Sequence, residues 1–369
     1  MSSNITSDIQ SFRDLALRFA KKELEPRVIE LDNYPFCDFN QNAIKAAMDA
    51  GLLQVMLPET HGGVGQRMDV LCEILLSLAR SDASFASVVF VNSLAQSVLI
   101  TCGSQPLVKT YFKSPLIAFP VYDLPTDLSR DLVAEKKNNG YSLKGKVEFL
   151  PLAPVADVVI LPAQLKETED IAFFLVDSKA RGLSVSEPLL SLGLRSCPVA
   201  DIQIDNVTVP AENLLCADAK SVYPALAEKF RSAAAAMAVG ILTGSFETAL
   251  TYAKERYQGG RMIVDYDQVR MMLSNMAVIM ETGRTLVQSM AQNADNGQPW
   301  PLSDAGFILL TKQVSRATTD GVQILGGYGY MQDYGQEKRM RDAKQVESIF
   351  GAPPVKHLDL IEGIIRKGK

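Results

Sequence analysis

Histidine is almost missing from this 369-residue chain, which holds only His61 and His357. That inventory excludes a Ser–His–Asp triad and leaves little for a histidine-based metal centre. His61 precedes Gly62 and Gly63 and reads as a loop residue. The five cysteines, Cys37, Cys72, Cys102, Cys197 and Cys216, are odd in number and widely spaced, with no Cys-x-x-Cys pair. Neither a disulfide framework nor a zinc site is expected, and no other metal. Basic charge is not in excess either: 37 Lys and Arg stand against 42 Asp and Glu, a net charge of −5. Nucleic acid and anionic membrane are therefore not expected as partners. The N-terminus carries no basic-then-apolar leader pattern. One apolar stretch is long, Ala83–Ile100, but Asn92, Gln96 and four serines make it too polar for a lipid-facing span. It is expected as a helix buried in protein, in a chain that stays in the cytoplasm.

What is present is an ordinary globular composition, 47% hydrophobic and 21% charged, on a chain long enough for two or three subdomains. Phe12, Leu15, Ala16 and Phe19 fall at helical spacing, with Pro26 limiting or kinking that helix. Further helices are expected over Ala43–Leu53, Val70–Leu78 and Ser84–Ile100, with a turn-rich loop at Leu57–Gly65. From about Ile117 the texture changes to short Val- and Ile-rich runs: Tyr141–Leu150, Val155–Ala163, Ile171–Asp177 and Asp201–Val209. In Asp201-Ile-Gln-Ile-Asp205 polar and apolar residues alternate, as in a half-buried strand. From Ser221 long helices return, over about Tyr266–Ala294 and Pro301–Leu325. The run Ser232–Gly240 offers a nearly side-chain-free surface for close helix packing. The expected fold is α+β and mainly helical: a helical domain over 1–116, a β domain over 117–218 and a helical bundle over 219–369.

Two segments carry a more specific pattern. Gln323-Ile-Leu-Gly-Gly-Tyr-Gly-Tyr330 is followed by Glu337-Lys-Arg-Met-Arg-Asp-Ala-Lys344. Supporting pieces are Leu57-Pro-Glu-Thr-His-Gly-Gly-Val-Gly65, Asn206-Val-Thr-Val-Pro-Ala-Glu-Asn-Leu-Leu215, Phe230-Arg-Ser-Ala-Ala-Ala-Ala and Tyr252-Ala-Lys-Glu-Arg256. In this order they resemble the acyl-CoA dehydrogenase superfamily along nearly the whole chain. The resemblance implies FAD as cofactor, an acyl-CoA thioester as substrate, electron transfer flavoprotein as acceptor and a dimer or larger oligomer. Glycines at 326 and 327 let backbone N–H groups approach a pyrophosphate, and Arg256 can neutralise it bidentately. In the family these groups and Gln323 act across a subunit boundary, on FAD seated mainly in a neighbour. The small-residue helix Ser232–Gly240 is read as pointing to an oligomer as well.

The family's reaction takes an α-proton with a carboxylate while flavin N5 accepts the β-hydride. The resemblance puts that carboxylate at Phe350, which has none. The alternative station, just before Arg231, is Phe230. Arg231 itself is the implied substrate contact. Glu347, one turn before Phe350, is a weak substitute expected to face solvent. The aromatic on the isoalloxazine is Phe149, but the threonine that reaches N5 is Pro151, which has no donor. The loop before it is reduced to Tyr122-Asp-Leu-Pro125, and Asp267 replaces a glutamine near the adenine. Groups for the chain's own flavin are thus mostly lost, whereas Arg256 and Gln323–Gly327 remain. The expected role is a base-less partner chain in a heteromeric acyl-CoA dehydrogenase. The alternatives are a self-sufficient FAD oxidoreductase with a relocated base or monooxygenase-type chemistry, and a non-catalytic acyl-thioester-binding or scaffolding protein. In the last, Phe350 and Phe230 line a pocket or simply fill one.

Overall fold

Ala16 and Phe19 are buried on one face of α1 (Ser2–Phe19), which packs on α4 (Met68–Ser81). In a computed structural model the described residues are 2–34, 36, 39–111, 116–128, 131–297 and 303–367. The chain beyond α1 passes through a π turn, Ala20–Leu24, and a 3₁₀ turn, Glu25–Arg27. Pro26 lacks the N–H that an α-ladder would need there. The helices α2 (Val28–Asp32), α3 (Gln41–Asp49), α5 (Ala83–Cys102) and α6 (Gln105–Tyr111) complete this region. Helix α3 ends four residues before Leu53, because Gly51 turns into the left-handed region at φ +74° and Leu52 and Leu53 drop into the core.

Helix α5 begins at Asp82, whose side chain accepts from Ser84 N at 3.1 Å, and it is apolar on every face. By length and hydropathy α5 and a second helix, α7 (Ala219–Glu255), are long enough to cross a bilayer. Their most apolar windows are 83% and 78% buried inside the protein, so both are core helices. Asn92 and Gln96 of α5 donate to Leu53 O at 3.1 and 3.0 Å. Their polarity therefore fastens the Leu53 loop to the core rather than facing water.

The middle of the chain forms one sheet, in the order β6 (Leu183–Val185), β7 (Val199–Pro210), β3 (Gly140–Pro151), β2 (Leu132–Lys137), β4 (Val158–Leu165), β5 (Ile171–Asp177) and β8 (Leu214–Cys216). A short β1 (Ile117–Ala118) lies parallel to β4. Strand β4 starts at Val158 rather than Val155, since Val155 N and Ala156 N both bond back to Leu152 O in a turn.

Helices then return as α7, α8 (Asp267–Asp295), α9 (Ser303–Leu325), α10 (Gln336–Val346) and α11 (Pro353–Lys367). The run Ser232–Gly240 is wholly buried within the chain. A Cβ on Gly240 would lie 2.3 Å from Leu76 O, and one on Gly244 2.2 Å from Arg80 O. The small residues are thus required by the close crossing of α7 and α4 in one protomer. That corrects the expectation that they mark an oligomer contact.

Candidate functional site

Four phenylalanines from four elements meet behind the turn that follows α10. Phe90 comes from α5, Phe230 from α7, Phe307 from α9 and Phe350 from the turn itself. Phe90 packs edge-on against Phe230 and Phe350, each at 6.0 Å between centroids, and Phe307 meets Phe350 at 6.3 Å. All four are fully or almost fully buried. Edge-to-face packing of this kind adds about 0.5–1.5 kcal/mol per pair to the burial of the rings. The two positions named as possible stations for a base therefore belong to one aromatic plug.

The backbone of the plug is as telling as its side chains. Phe350 sits in the left-handed region at φ +60°, followed by Gly351 at φ +107°. A bulky residue there is strained by about 1–3 kcal/mol. Phe149, on a bulge where β3 slips register against β7, is also left-handed, at φ +54°. Its N–H donates to Asp201 Oδ1 at 2.9 Å and its ring is 57% exposed. Phe350 N donates to Val121 O at 2.7 Å. A Cβ on Gly351 would meet Leu124 at 3.2–3.5 Å. The loop of Val121–Pro125 thus lies directly against the turn, and the Phe350 N–H is already used. Pro151, which has no N–H, is buried opposite Val199 in the sheet.

Arg231 is also buried. Its guanidinium forms an ion pair with Asp304 and lies 5.9 Å from the centroid of the Phe350 ring. It borders a groove of about 730 Å³ between residues 124–127, the start of α7 and α11. Asp127, Glu228, Asp304, Asp359 and Glu362 line that groove against Lys220 and Arg231. An excess of carboxylates there opposes a polyanionic ligand.

Glu347 corrects an expectation: it is only 7% exposed, not solvent-facing. Its carboxylate bonds Lys344 Nζ at 2.7 Å and lines a separate groove with Lys312, Arg316 and Lys356. Lys356 donates to Glu347 O and to Ile349 O, so it caps the carbonyls at the end of the turn. Burial pulls the Lys356 ammonium down to about 7.

A second groove of about 730 Å³ opens on another surface, lined by Arg256, Gly326 and Gly327 together with Tyr252, Tyr266 and Tyr328. Arg256 lies past the end of α7 with its guanidinium 5.8 Å from the Tyr328 ring centre. Gly326 is left-handed at φ +58°, which explains a glycine there, but Gly327 is not. A Cβ on either would meet nothing of this chain within 4 Å. Own-chain packing therefore does not require a glycine at Gly327. The rings of Tyr252, Tyr328 and Tyr334 pack tilted or edge-on at 5.4–6.2 Å between centroids, and Tyr266 Oη holds the 257–262 hairpin by donating to Gln258 O and Gly259 O. Tyr252 and Tyr328 lay inside recognised motifs, but Tyr266 and Tyr334 did not, and none of the four was named as a site residue. Gln323 is exposed on the last turn of α9, outside the groove lining, and Asp267 is exposed at the start of α8.

The charged half of the C-terminal motif works within the chain. Lys338 Nζ bonds Asp82 Oδ1 at 3.0 Å and Asp342 Oδ2 at 2.7 Å, and Asp342 Oδ1 accepts from Leu194 N at 2.7 Å. Arg341 pairs with Glu337 and Asp32. Together they tie α10 to the start of α5 and to the loop at Leu194.

Three family models match this chain in succession: the N-terminal domain of acyl-CoA dehydrogenase over residues 6–115, the middle domain over 125–207 and the C-terminal domain over 225–364. Among curated proteins, the cyclohexane-1-carbonyl-CoA dehydrogenase of Geobacter metallireducens is 27% identical over 99% of both chains. The solved butyryl-CoA dehydrogenase from Megasphaera elsdenii is 25% identical, with a TM-score of 0.89 over 97% of this chain and 98% of that one. A glutaryl-CoA dehydrogenase from Mycobacterium smegmatis, solved in complex with FADH2, shares the fold at a TM-score of 0.88, with 20% identity over 98% of this chain and 95% of its own.

Proposed function

The chain belongs to the acyl-CoA dehydrogenase family, and from that membership we propose that it acts as a base-less partner in a heteromeric acyl-CoA dehydrogenase. It is an oxidoreductase-family flavoprotein, and FAD is the cofactor of the site it helps to form. When bound, FAD supplies a hydride acceptor for oxidation of an acyl thioester. The residues here fit one part of that group. Gly326 and Gly327 leave a cradle free of Cβ atoms, and Arg256, which pairs with no carboxylate among the described residues, would hold its pyrophosphate. They do not fit at the chain's own flavin position. There Pro151 offers no donor, Phe350 N is engaged by Val121 O, and Leu124 closes on Gly351.

The observation that carries the reading is this contrast between a filled site and an open groove. Phe350 and Phe230 occupy the base positions with buried rings, so no group there can take a proton. An intact second chain would supply base and flavin floor, and this chain would complete its cofactor site through Arg256, Gly326 and Gly327. Exposed Tyr328 and Met331 line the same groove and would be covered in that assembly. A cytoplasmic oligomer, with electron transfer flavoprotein as acceptor, completes the reading.

The names of the relatives favour a second reading, a chain that oxidises an acyl-CoA by itself. It would need Glu347 as base, but that carboxylate engages Lys344 beside a different groove. The deciding experiment is the visible spectrum of the chain purified alone and after co-expression with a base-bearing relative. Flavin only in the mixed oligomer, bleached by an acyl-CoA, is the expected result. A flavin-replete homo-oligomer that turns over acyl-CoA overturns the proposal.

A further inference from the structure

Opposite faces of α11 border grooves of opposite charge. Val355, Leu358 and Glu362 line the acidic groove beside Arg231, whereas Pro353 and His357, one turn apart, line the groove that holds Glu347. The latter encloses about 470 Å³ between α9, the end of α10 and the start of α11. Lys312, Arg316, Lys344 and Lys356 line it, and Glu347 is its one carboxylate, already engaged by Lys344 Nζ at 2.7 Å. Lys312 and Arg316 stand exposed one turn apart on α9, and neither pairs with a carboxylate among the described residues. Like charges at this spacing repel each other, and they gather here on a chain whose net charge is −5. Lys356 is only 7% exposed, held by Glu347 O and Ile349 O, with its ammonium 4.5 Å from the centre of the Phe307 ring. That cation is fixed in place before any ligand arrives, and a bound anion would offset the burial that favours its neutral form. Backbone donors are not on offer. Pro353 and Pro354 have no N–H, and Val355 N and Lys356 N both bond Ala352 O. Recognition therefore runs through side chains, beside an apolar wall of Ile308, Pro353 and Pro354.

We propose that this groove binds a phosphate-bearing small molecule, with Lys312, Arg316 and Lys356 holding the phosphate. Its volume lies within the roughly 300–1,000 Å³ of small-molecule sites and suits a ligand about the size of a nucleotide. It shares no lining residue with the groove of Arg256, Gly326 and Gly327, so it stands whether or not that groove holds FAD. Lys356 also caps the carbonyls of Glu347 and Ile349, so a ligand beside it steadies the turn that carries Phe350.

The test is calorimetric titration of the full chain with inorganic phosphate, pyrophosphate and AMP, in about 0.15 M salt so that loose surface attraction is screened. The expected result is saturable binding of a probe with Kd below about 1 mM. AMP binding more tightly than phosphate and pyrophosphate assigns an organic phosphate; equal or weaker AMP assigns a free one. The double variant Lys312→Ala/Arg316→Ala should weaken binding at least about 10-fold. Arg256→Ala should leave it unchanged, and so should Lys144→Ala/Lys179→Ala, which removes two exposed lysines of the β domain. The alanines at 312 and 316 lie on an exposed helix face and relieve a like-charge pair, so that variant should melt no lower than the parent. The tightest probe should raise the melting temperature of the parent and not of that variant. No saturable binding of any probe overturns the proposal. So does binding that Lys312→Ala/Arg316→Ala leaves intact, or that Lys144→Ala/Lys179→Ala weakens as much.

Discussion

Replacing Phe350 by glutamate puts a carboxylate at the position where the proposed reading has the base lost, and it should give an unstable protein rather than an enzyme. Phe350 is fully buried between Phe90 and Phe307, and Arg231 beside it already pairs with Asp304. Losing the buried ring removes about 2–3 kcal/mol of transfer free energy. The introduced carboxyl group must also stay protonated inside an apolar plug. Holding it neutral at pH 7, against an unfolded pKa of about 4.3, costs about 4 kcal/mol. Together these come to about 6 kcal/mol, a large share of the roughly 5–15 kcal/mol that holds a typical domain folded. The sign of the pH dependence follows. A carboxyl group whose folded pKa is raised binds a proton in the folded state that the unfolded state has released. The variant should therefore lose stability, relative to the parent, as pH rises from about 4.5 to 7. The extra slope approaches about 1.4 kcal/mol per unit. Urea unfolding of Phe350→Glu and parent at several pH values measures both quantities. A variant with the parent's midpoint at pH 7, or with no added pH slope, would mean that water reaches residue 350 and that the plug is not sealed. Flavin-dependent dehydrogenation by the variant alone would refute the reading of a filled site.

Gly327→Ala should leave the stability of the isolated chain unchanged within about 0.5 kcal/mol, since its Cβ meets nothing of this chain. In the mixed oligomer the same methyl should weaken flavin retention, and Arg256→Ala should weaken it about 10- to 100-fold, read by equilibrium dialysis of FAD. Lys338→Met leaves the buried carboxylates of Asp82 and Asp342 facing each other without their cation. A loss of about 3–5 kcal/mol in denaturant unfolding is expected, and a change below 1 kcal/mol would show that the network is not sealed from solvent. Lys356 is pulled down to about 7 by burial, so the folded chain sheds that proton before the unfolded chain does. Its contribution to stability should rise as pH climbs from about 7 toward the ordinary lysine value, and Lys356→Met should remove that part of the pH profile. An identical slope in parent and variant would contradict the assignment.

The helix–strand–helix order was legible because periodicity is local: a face of Phe12, Leu15, Ala16 and Phe19, or an alternation such as Asp201–Asp205, needs no distant partner to be read. The groove of Arg256, Gly326 and Gly327 was legible for the same reason, since glycines and one arginine carry their chemistry in their identity. Residue types alone also established that the side chains of Phe350 and Phe230 can neither take a proton nor donate a hydrogen bond, and that Pro151 has no N–H at all. Contacts between segments far apart in the chain were settled only by the tertiary structure. Composition left the Ser232–Gly240 run free to face a partner, but the approach of Leu76 O decided that it packs on α4. Glu347 is buried because the chain after Val346 bends back and Lys356 caps it, which depends on the path of α11. The plug itself required Phe90, Phe230, Phe307 and Phe350 to converge from four elements. A sequence names the groups that are available; packing and desolvation, which act between distant segments, decide which of them face one another and which face water.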